Sequence, residues 1–314
     1  KIMSKQNNIT TINPTTGKEI EEYNYISNVE MNAAIEDCYE AFLGWKHESL
    51  ENRGKIIRAI GKKLQEYKEE LATLMTKEMG KLYSQSLQEV DLCSGVCNYT
   101  ATNASKELKD EKRTLSNGGK GIVTYSPIGI IYGIQPWNYP SYQVIRYAIV
   151  NLMAGNAVLL KHASNVTGTG ILLEKIFTEA GLPKHLFKTL LIKHEQSDEI
   201  IKNKLVRGVT LTGSSDAGRN IGQKATAELK KVVLELGSND AYIVLEDADI
   251  ELAVEKSVKG RIYNNGETCI AAKRFVVVDA VYDKFKEAFV KAMKDVKIGD
   301  PMKDSTDMGP IARE

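Results

Sequence analysis

The sequence predicts an α/β fold: a doubly wound, mostly parallel sheet preceded by helices and followed by a second, smaller α/β unit. Three observations carry this expectation. Short β-rich runs alternate with helical segments through the middle of the chain. The runs are continuously apolar, as strands of a parallel sheet covered on both faces are. Polar motifs bearing Gly, Asn or a carboxylate follow the strand ends, which is where open parallel sheets bind ligands.

From about Asn28 to Leu108 apolar positions recur at helical spacing. Ile56, Ile57, Ile60, Leu64 and Tyr67 share one stripe, so this stretch predicts two or three amphipathic helices covering one side of the sheet. A polar break, "KDEKRTLSNGGKG", marks a bridging segment near residues 108–124. Then come "GIIYGIQ", a helix in "SYQVIRYAIVNLMAG", "NAVLLK", a helix in "TGTGILLEKIFTEAG", "FKTLLIK", a short helix, "VRGVTLTG", a helix in "DAGRNIGQKATAELKK" and "KVVLELG". Near "LELGSNDAYIVLEDAD" a second unit begins, with the helix "DIELAVEKSVKGRIYNNG", the strand "KRFVVVD" and the helix "VYDKFKEAFVKAMKDV". The last stretch, "GDPMKDSTDMGPIARE", reads as loop. Two domains are expected, residues 1–236 and 237–314, because single cores stop growing near ~250 to 300 residues.

The 42 basic and 41 acidic side chains nearly cancel, and no long block of one sign stands out, so neither a nucleic acid nor a membrane surface is the expected partner. Four cysteines are too sparse for a disulfide framework, and the start "KIMSKQNNITT" lacks the apolar core of a signal peptide; a cytoplasmic setting is expected. Every long apolar stretch is interrupted well short of the ~20 residues that span a bilayer. Cys93 and Cys97 lie four apart without companion ligands, so no metal site is expected.

Five places could carry chemistry. In "PWNYP" two prolines stiffen the backbone around Asn138, whose amide either donates to a developing oxyanion or merely closes the turn. Lys161 ends "NAVLLK" and either reaches a ribose or phosphate or snorkels to the surface. Gly213 and Ser214 open a helix whose first N–H groups suit a pyrophosphate, although the spacing is not G-x-G-x-x-G and a plain capped helix explains it equally. Glu235 ends an apolar strand; burial there would favour a general base, and the alternative is a half-exposed strand residue. A lone cysteine is most often a small core hydrophobe, but Cys269 sits in "NNGETC", which is poor core material, and Lys273 and Arg274 favour a thiolate if they lie nearby.

In this order, "PWNYP", "NAVLLK", "LTGSSDAG", "LELGSND" and "NNGETC" resemble the aldehyde dehydrogenase superfamily along essentially the whole chain. The resemblance implies a Rossmann-like cofactor domain, an incomplete catalytic domain, a homo-dimer or homo-tetramer, and oxidation of an aldehyde to a carboxylate with NAD or NADP. It implies Cys269 as nucleophile, Asn138 and the Cys269 N–H as oxyanion donors, and Glu235 as the base that hydrolyses the thioester. Pro136, Trp137, Lys161, Ser164, Gly213 and Ser214 would meet the cofactor. Ser164 stands where strict NAD users of the family often carry Glu, and a carboxylate there would repel a 2′-phosphate.

Among members, succinate semialdehyde dehydrogenases are the nearest likeness. They grip the far carboxylate with an arginine eight residues after the asparagine, here Arg146, or else Arg146 makes a structural ion pair. A second arginine six residues before the cysteine is replaced by Tyr263, with Arg261 two residues away. Other aliphatic or phosphorylated aldehydes, or a role as an inactive cofactor-binding fragment, are the alternatives. Members continue past "GPIARE", so a 314-residue fragment is expected to expose a sheet edge and to have little activity.

Overall fold

The computed structural model describes residues 8–313; the reading of the chain start for a leader falls partly on residues 1–7, outside that range. A hairpin opens it: β1 (Asn8–Ile12) pairs antiparallel with β2 (Glu19–Asn24). Four helices follow: α1 (Asn28–Trp45), α2 (Leu50–Glu66), α3 (Lys68–Met79) and α4 (Tyr83–Glu107). The periodicity had predicted two or three. Its count fails because the breaks are short. Ser27 and Ser49 cap α1 and α2, Tyr67 alone separates α2 from α3, and Gly80 ends α3 at φ 81°. Of the predicted stripe, Ile57, Ile60 and Leu64 are fully buried, while Ile56 and Tyr67 pack at its margin. Trp45, at the end of α1, is buried and its indole N–H donates to the Leu152 carbonyl at 2.8 Å.

The polar break at 108–124 forms a hairpin, β3 (Glu111–Thr114) with β4 (Lys120–Val123), whose Ile122 and Val123 are exposed. The main sheet follows. Its strands are β5 (Ile130–Gln135), β6 (Ala157–His162), β7 (Phe187–Thr189), β8 (Val206–Thr212) and β9 (Lys231–Glu235). Helices α5 (Tyr142–Met153), α6 (Thr167–Glu179), α7 (His194–Lys202) and α8 (Ser215–Ala227) connect them. All neighbours are parallel and the order is β7-β6-β5-β8-β9. In chain order this is 3-2-1-4-5, with the reversal between β5 and β8 opening a crevice at the carboxyl ends of those two strands.

Two strands depart from expectation. "FKTLLIK" supplies only three paired residues, because the chain turns toward α7 after Leu190. In β9 the apolar run is largely exposed, with Val233 at 56%, since it is the edge of this sheet.

The chain continues through β10 (Ala241–Val244), α9 (Ile250–Ile262), β11 (Arg274–Val277) and α10 (Asp279–Lys294), with β10 and β11 parallel. One large hydrophobic cluster joins α1 to α8 with the main sheet. A small one gathers Val244, Ile250, Val254 and Phe285, with Phe275 and Phe289 packed against it. Ile243 and Val276 remain exposed on this pair of strands.

Candidate active site

The loop carrying Cys269 is built by two asparagines. Asn264 and Asn265 take left-handed backbone conformations (φ 52° and 56°), which Asn tolerates better than other side chains, and both are buried. Asn264 Nδ2 donates to the Asn138 carbonyl at 2.8 Å, and its N–H to Gln85 Oε1 at 3.0 Å. Asn265 Nδ2 donates to the carbonyls of Gly80 and Pro310, both at 2.9 Å, while its Oδ1 accepts the Gly309 N–H. The turn is therefore pinned to the α3–α4 junction, to the Asn138 loop and to the chain near Gly309. A Cβ on Gly309 would lie 2.1 Å from the Gly80 carbonyl oxygen, so only glycine permits that approach.

Cys269 follows this turn and is half-buried; Cys38, Cys93 and Cys97 are fully buried. Burial pushes those three thiols up, Cys97 to about 12, so they stay protonated filler. Lys273 lies near, but its ammonium donates at 2.6 Å to the carbonyls of Cys269 and Ser238, and Arg274 Nε donates to Asn239. These cations brace the backbone, and no contact of theirs with the thiol is seen among the described residues.

Asn138 meets the cysteine loop. Its Nδ2 donates one hydrogen to the Glu267 carbonyl at 2.8 Å, its Oδ1 accepts the Tyr139 N–H, and the second amide hydrogen is left for another acceptor. The hydroxyls of Tyr139 and Thr268 are 2.9 Å apart, and burial pushes the Tyr139 phenol up. Beneath this loop the Lys81 ammonium pairs with Glu89, both side chains 1% exposed, donates to the Asn138 carbonyl at 3.3 Å and lies 4.2 Å over the Tyr139 ring. Glu89 Oε1 accepts the N–H groups of Ser141 and Tyr142, each at 2.8 Å. His162 holds the far side of the loop, with Nε2 2.9 Å from the Pro140 carbonyl and Nδ1 3.0 Å from the Ala163 N–H. Nδ1 also lies 3.3 Å from the Gln135 carbonyl, and burial, outweighing these contacts, holds this imidazole down to about 4.

Glu267, given no role by the sequence reading, is a further member. Burial pushes its carboxyl up to about 7; Oε1 accepts the Ala312 N–H and Oε2 is buried without a partner. Nothing in its spacing could have singled it out. Tyr263 stands at the end of α9, where its carbonyl accepts from Thr268 and its hydroxyl is 3.5 Å from Gln88. Arg261 caps the same turn, donating to the carbonyls of Ala272 and Gly266, so it does not stand in for a substrate arginine.

Of the two readings of Glu235, the structure shows the half-exposed strand residue. Its side chain is 46% exposed rather than buried, because β9 is an edge, and Oε1 pairs with Arg146 Nη2 at 2.7 Å. The predicted base and the predicted substrate arginine thus hold each other. Both line a hollow of about 300 Å³ with Gln135, Gln143 and Thr212, which Cys269 does not line.

A larger cleft of about 1240 Å³ opens at the carboxyl ends of β5, β6 and β8. Trp137, Lys161, Ser164 and Gly213 line it; Pro136 and Ser214 do not. Pro136 shapes the loop, and the exposed Ser214 hydroxyl is committed to capping α8 through the Ala217 N–H at 3.2 Å. Within α8, a Cβ on Gly218 would lie 2.7 Å from Leu236, so the glycine lets helix and strand pack closely. Sequence reading missed Arg313 and His194 in the cleft. Lys161 is half-buried, held down by burial and by Arg313; His194 is held down by Lys161 first, then burial, then Arg313, with Glu195 opposing. Arg313 Nη2 donates to Asn165 Oδ1 at 2.7 Å, and Asn165 Nδ2 is buried without a partner. Cations crowded together beside orphan donors fit a phosphate-bearing dinucleotide. Among the described residues no group of metal-ligating side chains comes together, and no helix is long and apolar enough to cross a membrane.

The aldehyde dehydrogenase family model matches residues 2–314. A probable succinate-semialdehyde dehydrogenase (NADP(+)) of Synechocystis sp. is 41% identical over 97% of this chain and 67% of its own length. A succinate semialdehyde dehydrogenase (NAD(P)+) of Escherichia coli K12 is 39% identical over 96% and 65%. The crystal structure of succinic semialdehyde dehydrogenase from Streptococcus pyogenes in complex with NADP+ superposes with a TM-score of 0.94 at 34% identity, covering 97% of this chain and 67% of that one. The chain spans about two thirds of the length of these relatives. Because the match runs through the crevice, the Asn138 loop and the cysteine turn alike, the chain belongs to the aldehyde dehydrogenase family.

Proposed function

We propose that this chain carries the cofactor site and the nucleophile of an NAD(P)-dependent oxidation of an aldehyde to its acid, with succinate semialdehyde as substrate. The observation that carries the reading is the network joining Asn138 to the cysteine turn: Asn138 Nδ2 donates to the carbonyl of Glu267, two residues before Cys269, and the Asn138 carbonyl accepts from Asn264. Cys269 as thiolate attacks the aldehyde carbon, and the oxyanion accepts from Asn138 Nδ2 and the Cys269 N–H. When bound, the nicotinamide supplies the hydride acceptor, and the collapsing adduct becomes a thioester on Cys269. Glu235 then takes a proton from the water that hydrolyses it.

Lys161, Ser164 and Trp137, with Gly213 at the mouth of α8, hold the dinucleotide, joined by Arg313 and His194. Ser164 offers no carboxylate against a 2′-phosphate and two cations, Lys161 and Arg313, stand near, which supports NADP as well as NAD. The relatives' names support the substrate, as does Arg146 lining a hollow with Gln135 and Gln143. A soluble homo-oligomer acting in the cytoplasm accords with this reading.

The test is absorbance at 340 nm with succinate semialdehyde and NAD or NADP, on the natural-length protein and its Cys269→Ala variant. Turnover in the first and none in the second is the expected result. Equal rates in both, or no turnover in either, would remove the reading.

A further inference from the structure

We infer that Glu267 and Arg313 are positioning residues that tie the nucleophile to the cofactor: through the strap of residues 309–313, an anion bound in the cleft fixes the posture of the cysteine turn. This rests on the dinucleotide site proposed above.

The strap has one end in each site. At its root Gly309 and Pro310 are held by the Asn265 side chain, and Gly309 packs on the Gly80 carbonyl, which fixes this end independently of the cleft. At its far end Arg313 lines the cleft, and its Nη2 donates to Asn165 Oδ1 at 2.7 Å. Between the two, the Ala312 N–H donates at 2.9 Å to Oε1 of Glu267, two residues before Cys269. Consecutive Cα atoms are held ~3.8 Å apart, so Arg313 cannot shift far without moving Ala312 and drawing on Glu267. The pull reaches the surroundings of the nucleophile, because the Glu267 carbonyl accepts from Asn138 Nδ2 at 2.8 Å and the Thr268 hydroxyl meets that of Tyr139.

An anion decides where Arg313 rests. The Arg313 charge adds to the burial that holds Lys161 down, and to the Lys161 charge and the burial that hold His194 down. Like charges alone push Arg313 outward; a phosphate between Arg313 and Lys161 reverses the sign of that force. Asn165 Nδ2, buried without a partner, offers a further donor at the same place. A ligand shifts an equilibrium only by its differential affinity, and here the phosphate favours the docked strap over the undocked one. The Glu267 link acts as a hydrogen bond rather than as a charge. Its Oε2 is buried without a partner, and burial pushes the carboxyl up to about 7 against the opposing effects of the Ala312 N–H and Lys81. Glutamine presents the same acceptor oxygen at the same reach.

The experiment follows alkylation of Cys269 by iodoacetamide in the natural-length protein, read on the Cys269 peptide by mass spectrometry. The anion is adenosine 2′,5′-bisphosphate, which carries phosphates but no nicotinamide to shield the thiol; equilibrium dialysis gives its affinity. At saturation it should speed alkylation about 5-fold in wild type, a coupling of ordinary size between two sites. Glu267→Met should lose this acceleration although the bisphosphate still binds, its Kd raised by no more than about 5-fold, whereas Glu267→Gln should keep it. Arg313→Met should also lose it at saturation, which decides the matter if Glu267→Met does not fold. A residue that merely supports the fold would slow alkylation equally with and without the ligand and leave the ratio standing. That ratio persisting in Glu267→Met or Arg313→Met, or no acceleration in wild type that binds the bisphosphate, overturns the inference while the dinucleotide site stands. If wild type binds neither the bisphosphate nor NADP, both fall.

Discussion

Replacing Lys81 with Met tests how the Asn138 loop is held. Lys81 and Glu89 are each 1% exposed, so removing the ammonium strands a carboxylate in the interior. Breaking such a pair costs about 3–5 kcal/mol. Glu89 keeps two charge-assisted hydrogen bonds from the Ser141 and Tyr142 N–H groups, which places the loss near the lower end, about 3 kcal/mol. At about 2–4 °C per kcal/mol, the unfolding midpoint should drop by about 9 °C. Adding Glu89→Gln removes the stranded charge but keeps an acceptor oxygen for both N–H groups, and should recover all but about 1 kcal/mol of the loss. Thermal unfolding followed by tryptophan fluorescence reads both, since Trp45 is buried in the main core and Trp137 directly precedes Asn138. A midpoint change under 2 °C in the single variant, or a double variant no more stable than the single, would refute the argument that the pair is electrostatically coupled.

Asn138→Ala should lower kcat about 10² to 10³-fold with cofactor affinity unchanged, measured by steady-state rates and by titration of NADP, because it removes one oxyanion donor outside the phosphate cleft. His162 is neutral when folded, with its value held near 4 against about 6.5 unfolded, so its contribution is intact above pH 6.5 and is lost as pH falls from 6.5 to 4. That loss is on the order of 3 kcal/mol, and His162→Asn should flatten the acid limb of a urea-unfolding series across that window; an unaltered slope would count against it. Gly309→Ala, with no room against the Gly80 carbonyl, should destabilise by about 1–3 kcal/mol and slow alkylation of Cys269 by iodoacetamide.

Periodicity and strand grammar made the main sheet legible because buried parallel strands advertise themselves as apolar runs. β5, β6 and β8 therefore fell where expected, and Asn138, Lys161 and Gly213 could be read as strand-end residues. What one sequence does not carry is edge status. "KVVLELG" looks like any covered strand, and only its place beside β8 and nothing else exposes Val233 and puts Glu235 within reach of Arg146. Helix breaks were hidden for a different reason, since Tyr67 is a break without Gly or Pro. The supports of the site were invisible altogether. Lys81 and Glu89 are eight residues apart, His162 and Arg313 lie far from them along the chain, and all four have ordinary neighbours; their meaning is wholly in which carbonyls and carboxylates they meet after folding.

The side chain of Asn265 joins the carbonyls of Gly80 and Pro310, positions separated by 230 residues, and thereby has a consequence in time as well as in space. Contacts between such distant segments form late, because loop closure must come before they yield any energy. As the chain leaves the ribosome, the helical layer and the main sheet can assemble from residues already made, while the cysteine turn still lacks one of its anchors. The posture of Cys269 seen here is thus reached only after Pro310 has been made, some forty residues behind the cysteine itself.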